Sequence, residues 1–185
     1  MKKIFVLFIF FLLKFSSGHS QEQLYYSTEN GSVRFKSEAQ KEIINAESTR
    51  LKGILDITKK TFAFKVLIRS FEGFNSPLQQ EHFNEKYLES DLYPEAFFSG
   101  KIIEEVDLSH DGDFNIRAKG KLTIHGINNE RIIKCIINIK NGVVEVKSSF
   151  SIMLSDHNIK VPKIVHEKVA TEILIEIRVT MKRTH

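Results

Sequence analysis

Asp113-Phe114-Asn115-Ile116-Arg117-Ala118-Lys119-Gly120-Lys121-Leu122-Thr123-Ile124-His125 is the stretch that decides the fold. Successive side chains on a β-strand point to opposite faces. Phe114, Ile116, Ala118, Gly120, Leu122 and Ile124 fall on one face here, and Asn115, Arg117, Lys119, Lys121 and Thr123 on the other. An amphipathic helix would instead place apolar residues three and four apart, so this segment reads as a half-buried strand.

The same period of two recurs on both sides of it. Residues 131–140 put Ile133, Cys135, Ile137 and Ile139 together, and 143–154 do the same with Val144, Val146, Ser148, Phe150 and Ile152. Near the end, 170–182 gather Ile173, Ile175, Ile177, Val179 and Met181. Upstream, 61–71 place Phe62, Phe64, Val66 and Ile68 on one face, with Ala63, Lys65, Leu67 and Arg69 opposite. Weaker strands are expected over 24–28, 32–36, 43–57 and 96–107. Asp111-Gly112 and Asn141-Gly142 are strong hairpin signals, because a type I′ turn needs positive φ at both central residues. Gly126-Ile127-Asn128-Asn129 is read as a further reversal, so 96–154 predicts a four-strand meander.

One segment departs from this period. Ser76 can cap a helix and Pro77 suits its first position. Leu78, His82, Phe83 and Tyr87 then fall near one face, which predicts one short helix near 77–90. Residues 155–167 read as a long connection or a short helical turn. No repeat or linker divides the chain, and 21–185 is expected to be one domain. The class is therefore all-β. Some nine strands in an open sheet would expose edges and faces, and closure into an antiparallel barrel of about eight strands removes the edges. An eight-strand barrel is about the size whose interior is either filled or holds one small ligand.

The first twenty residues are read separately. Lys2 and Lys3 precede an unbroken apolar run, 4–13, and small residues follow at Gly18 and Ser20. That is the layout of a cleaved secretory signal peptide, with cleavage before Gln21 and a run too short to span a bilayer. No stable membrane insertion is expected. Cleavage also changes the charge. The whole chain has 27 Lys and Arg against 23 Asp and Glu, and loss of Lys2, Lys3 and Lys14 leaves 24 against 23. A net charge near +1, with lysines alternating with acids along the strands, excludes the basic stripe of a nucleic-acid binder. The single cysteine, Cys135, lies in an apolar run and is read as a buried, inert thiol.

No motif announces catalysis or a cofactor. The chain has no nucleophile elbow, no phosphate-cradling glycine loop and no Cys-x-x-Cys pair. His157 and His166 lack zinc-ligand spacing, and Asp111 and Asp113 read as turn residues rather than calcium ligands. Glu104 and Glu105, if on a strand, face opposite ways and cannot act together. Neither metal nor cofactor is expected. His82 and His125 are candidates for polar contacts, each against the alternative of bonding a backbone group.

Several motifs together resemble the YceI-like family. Gly31-Ser32-Val33-Arg34-Phe35, Leu51-Lys52-Gly53-Ile54-Leu55-Asp56 and the aromatic strand at 62–71 come in that family's order. The 74–90 stretch, with His82-Phe83 and Leu88-Glu89-Ser90, resembles its central helix. Tyr93-Pro94-Glu95-Ala96-Phe97-Phe98-Ser99-Gly100 resembles its strand entry, and Gly120-Lys121-Leu122-Thr123-Ile124-His125-Gly126 its most recognisable motif. Asp91-Leu92-Tyr93 departs from the aspartate-phenylalanine-phenylalanine usual there. The resemblance implies a lipocalin-like barrel with an elongated apolar interior, export to the periplasm or beyond, and binding of a long-chain isoprenoid or similar amphiphilic lipid without catalysis.

The expected cavity lining is Phe35, Phe62, Phe64, Val66, Ile68, Phe83, Tyr87, Phe97, Phe114, Ile116, Leu122, Phe150 and Ile152. Phe97 and Phe98 are adjacent, and their order alone does not say which faces in. Two other readings stand beside a lipid carrier. One is an enzyme working on a hydrophobic substrate in the same cavity, with a catalytic pair among His82, His125, Tyr87 and Glu81. The other is an interaction protein whose barrel is filled. A homodimer through an exposed strand or helix is compatible with any of the three.

Overall fold

The computed structural model of the protein describes residues 24–184. The expected signal peptide, 1–20, lies outside the described residues. Eight antiparallel strands follow one another around a closed barrel, each paired with its neighbours in sequence and the last paired with the first. They are β1 (Tyr25–Glu38), β2 (Ile43–Asp56), β3 (Thr61–Leu67), β4 (Glu95–Ile102), β5 (Gly112–Ile124), β6 (Ile127–Lys140), β7 (Val143–Met153) and β8 (Glu172–Thr184). Inward side chains on β5 alternate with exposed ones as the opening stretch requires, Ile116, Ala118 and Leu122 being buried. The meander over 96–154 is present as β4 to β7.

The two weak strands at 24–28 and 32–36 are one strand. β1 carries an irregularity between Thr28 and Val33. Inward positions change there from the even set Tyr26 and Thr28 to the odd set Val33, Phe35 and Ser37. β2 makes the complementary change, from Ile44, Ala46 and Ser48 to Leu51 and Leu55. A bulge places an extra residue in a strand and reverses which face its later residues use.

Two reversals also differ from expectation. The β5–β6 turn is His125-Gly126, with φ of 52° and 71°, so Ile127, Asn128 and Asn129 already belong to β6. Asp111-Gly112 is not a hairpin turn. β4 ends at Ile102, Gly112 opens β5, and 103–111 form a longer connection that buries Leu108 to 2% exposure. Glu104 and Glu105 therefore lie on that connection rather than on a strand. Glu104 accepts from the Arg117 backbone N–H at 2.6 Å and its side chain at 2.7 Å. The Arg117 hydrogen bonds and charge hold the Glu104 carboxyl below its ordinary range. Asn141-Gly142 is the expected tight turn, with φ of 51° and 73°.

The connections at the two ends are unequal. One end has the short turns at 57–60 and 141–142 and the 103–111 connection. The other has 39–42, the His125-Gly126 turn, and two long segments, 68–94 and 154–171. The first of these holds a 3₁₀ turn (Ile68–Ser70), helix α1 (Pro77–His82) and a π-helical turn continuing it (Phe83–Tyr87). Ser76 caps α1 by accepting from the Gln79 N–H at 3.2 Å, with Pro77 at the first position. The second holds 3₁₀ turns Leu154–His157 and Lys163–Val165. Backbone hydrogen bonds between Glu47 and Glu72, of 2.8 and 2.9 Å, pin the first segment to β2. Ser37 Oγ accepts from the Ala170 N–H at 2.9 Å and pins the second to β1.

Candidate functional site

The core is packed at the end with short turns, where Val144 and Met181 have no exposed surface. It opens toward the end covered by the long segments. There a cavity of about 180 Å³ lies inside the barrel. Its walls are strand residues such as Val33, Phe35, Val66, Leu122, Ile152 and Ile173. Its cover comes from Phe71, Phe74, Phe83, Tyr87 and Leu88 of 68–94, and from Leu154, Ile159 and Val169 of 154–171. A smaller space of about 60 Å³ continues below, among residues that include Leu55, Phe62, Ile102, Ile116, Cys135 and Val146.

An aromatic cluster holds the cover in place. Phe35 on β1 stacks on Phe83 with ring centres 5.2 Å apart and planes at 14°. Phe71 and Phe74 lie 5.6 and 5.9 Å from Phe35, and Phe74 lies 5.1 Å from Phe83. Offset and tilted pairs at these distances add about 0.5–1.5 kcal/mol each beyond the area they bury. The π-helical turn widens the helix just where Phe83 and Tyr87 turn inward. The face expected from 3.6-residue spacing is split: Leu78 is 57% exposed and His82 is exposed, while Phe83 and Tyr87 are half-buried.

Polar groups in the lining are few. Ser37 is occupied by the Ala170 N–H, and Gln79 donates to Glu42 at 3.0 Å. Lys65 borders the cavity, but its ammonium pairs with Glu95 at 2.9 Å. Burial raises the Tyr87 phenol above its ordinary value, so it is neutral near pH 7.

The expected lining residues divide among three places. Phe35, Phe64, Val66, Ile68, Phe83, Tyr87, Phe97, Leu122, Phe150 and Ile152 border the larger cavity. Phe62 and Ile116 line the smaller one, and Phe114 lines neither. Of the adjacent pair, Phe98 is the inward residue, its ring 4.9 Å from that of Phe62. Phe97 points to the other face, is 40% exposed, and reaches the larger cavity only beside Phe98, as Lys65, its partner on β3, does. His82 lies outside the lining. Phe71, Phe74, Leu88, Leu154, Ile159 and Val169 were missed because they sit on connections, where no period marks an inward face.

His125 lies in a turn rather than at a strand end. Its Nδ1 is 3.0 Å from the His157 carbonyl oxygen and its Nε2 is 2.6 Å from the Glu89 carboxylate. Glu89 belongs to one covering segment and His157 to the other, so the imidazole ties both to the β5–β6 turn. Tyr93 meets the ring edge-on at 4.6 Å. His157 is itself 1% exposed, and its Nδ1 has no hydrogen-bond partner. Burial lowers the His157 imidazole below its ordinary value, opposed by backbone hydrogen bonding at Ile124. Cys135 lines the smaller space, and burial raises its thiol. Among the described residues no group of three His, Cys, Asp or Glu side chains is placed to hold a metal ion, and no helix is long and apolar enough to cross a membrane.

An antiparallel barrel with an apolar interior is the geometry implied by the motif resemblance. The model of the YceI-like domain matches residues 21–181. The chain belongs to the YceI-like family. Among solved structures, this YceI-like chain is similar to a polyisoprenoid binding domain from Saccharophagus degradans implicated in plant cell wall breakdown. That pair is 12% identical, covers 88% of this chain and 100% of the other, and has a TM-score of 0.73. BcnA of Burkholderia cenocepacia is 16% identical over 81% of this chain and 95% of its own, with a TM-score of 0.66. A YceI protein of Campylobacter jejuni is 15% identical over 71% of this chain and 78% of its own, with a TM-score of 0.55. At such identities the likeness is one of fold. No curated protein matches the chain.

Proposed function

We propose that this YceI-like protein is an exported binding protein that holds a polyisoprenoid, or a similar amphiphilic lipid with an apolar chain, inside its barrel. The observation that carries the reading is the cavity of about 180 Å³ whose lining is almost wholly aliphatic and aromatic. Such a space favours an apolar chain without a charged anchor, since each methylene removed from water contributes about 0.8 kcal/mol. The Saccharophagus degradans neighbour, a polyisoprenoid binding domain, supports the ligand class. The Tyr87 hydroxyl, neutral and at the cover, is a group that could meet a polar head. Export to the periplasm or beyond rests on the leader pattern in residues 1–20.

Carriage is favoured over catalysis by the placement of the candidate groups. Glu81 and His82 are exposed on α1, Tyr87 faces the cavity, and His125 is held between Glu89 and the His157 carbonyl. A filled barrel is disfavoured by the cavity itself. Solvent extraction of the purified protein followed by mass spectrometry tests the reading, with a bound lipid expected. A protein that carries no lipid and takes up no isoprenoid probe would rule it out. For export, the periplasmic or secreted fraction should contain a chain beginning at Gln21.

A further inference from the structure

The two spaces in the barrel lie end to end and share a wall. Phe64 on β3, Phe98 on β4, Phe150 on β7 and Ile177 on β8 border both. On β3, Val66 faces the larger space and Phe62 the smaller, with Phe64 between them. The shared residues therefore form a waist across the barrel. Phe62 supports the waist from below, its ring 6.1 Å from Phe64 and 4.9 Å from Phe98. Gly53 on β2 pairs directly with Phe64. A Cβ at Gly53 would lie 2.2 Å from the Phe64 ring. The ring thus lies across bare backbone, and a side chain at 53 would force it to shift.

We propose that this aromatic waist limits how far an apolar chain runs into the barrel, so that the protein selects shorter isoprenoid chains, with Phe64 as the length-determining residue. The inference rests on the carrier reading above. A chain entering under the cover fills the larger space and meets the waist. Chains that end there bury all their methylenes. Longer ones leave part of their length in water or must displace Phe64 and Phe98, whose rings both pack on Phe62, and interiors packed at crystal density resist that displacement.

The test is competitive loading of the purified protein with an equimolar mixture of farnesol, geranylgeraniol and solanesol, read by native mass spectrometry. The unaltered protein should retain the two shorter alcohols over solanesol. Phe64→Ala should raise the retained ratio of solanesol to geranylgeraniol by about tenfold, on the scale of steric discrimination in apolar pockets. Phe64→Leu should move it in the same direction by less, and serves if the alanine variant does not fold. Gly53→Ala should move it the other way. An unchanged ratio in folded Phe64→Ala or Phe64→Leu protein, or an unaltered protein that already prefers solanesol, overturns the inference and leaves the carrier reading standing. Failure of every protein to take up any of the three alcohols overturns the carrier reading itself.

Discussion

Gly126 adopts φ of 71°, and a Cβ there would lie 2.5 Å from the Tyr93 ring. Conformation and space both demand glycine at this position, and His125 before it already accepts φ of 52°. Gly126→Ala should destabilise the protein by about 1–3 kcal/mol, read as a lowered midpoint in urea unfolding. Titration of a single buried histidine is also a residue-scale effect. The folded chain binds a proton at His157 less readily than the unfolded chain, whose histidine titrates near 6.5. The unfolded state therefore takes up the extra proton first as pH falls. This contribution to stability is intact above about pH 6.5 and is lost as pH falls from there toward the folded value. His157→Gln should flatten the decline in unfolding free energy between about pH 7 and pH 5, and an equally steep decline in the variant would contradict the assignment. At this scale the sequence was partly legible. The resemblance singled out His125, but that it joins Glu89 to the His157 carbonyl depends on residues 36 and 32 positions away. Nothing local marks such a pairing.

Elements with an uninterrupted period were read correctly. β5 to β8 each keep one inward parity along their length, and a strand buried on one face must do so to keep its apolar side inward. β1 and β2 were read weakly because each changes inward parity at its bulge, so no single period-two pattern describes either strand. Asp111-Gly112 has the composition of a tight hairpin, yet Ile102 pairs with Ala118 and leaves 103–111 to connect the strands. Register, set by pairing across the sheet, overrides the local turn signal there. Capping chemistry was legible because it is local: Ser76 and Pro77 act within one turn. Ser76→Ala should cost about 1 kcal/mol of local stability. Amide hydrogen exchange over 77–88 should then speed by roughly fivefold, with strand amides on β6 and β7 unchanged. Uniform acceleration across the barrel would show instead that α1 does not open independently of the sheet.

The barrel as a whole is packed at one end and hollow at the other, which separates stability from binding. Met181 and Val144 are fully buried and border neither space. Met181→Ala should cost about 2–5 kcal/mol in chemical denaturation while retention of an isoprenoid alcohol stays the same. Loss of retention at full fold would show that the two ends are coupled. The amino-acid sequence by itself determined that the chain is an antiparallel barrel of about eight strands with one short inserted helix, because alternation and tight turns act through neighbours a few residues apart. Tertiary structure alone decided that Phe98 rather than Phe97 faces in, that two connections supply the cover, and that a waist of Phe64, Phe98, Phe150 and Ile177 divides the interior. Those features come from how strands distant in sequence meet across a closed sheet, and a packed and a hollow barrel share the same alternation.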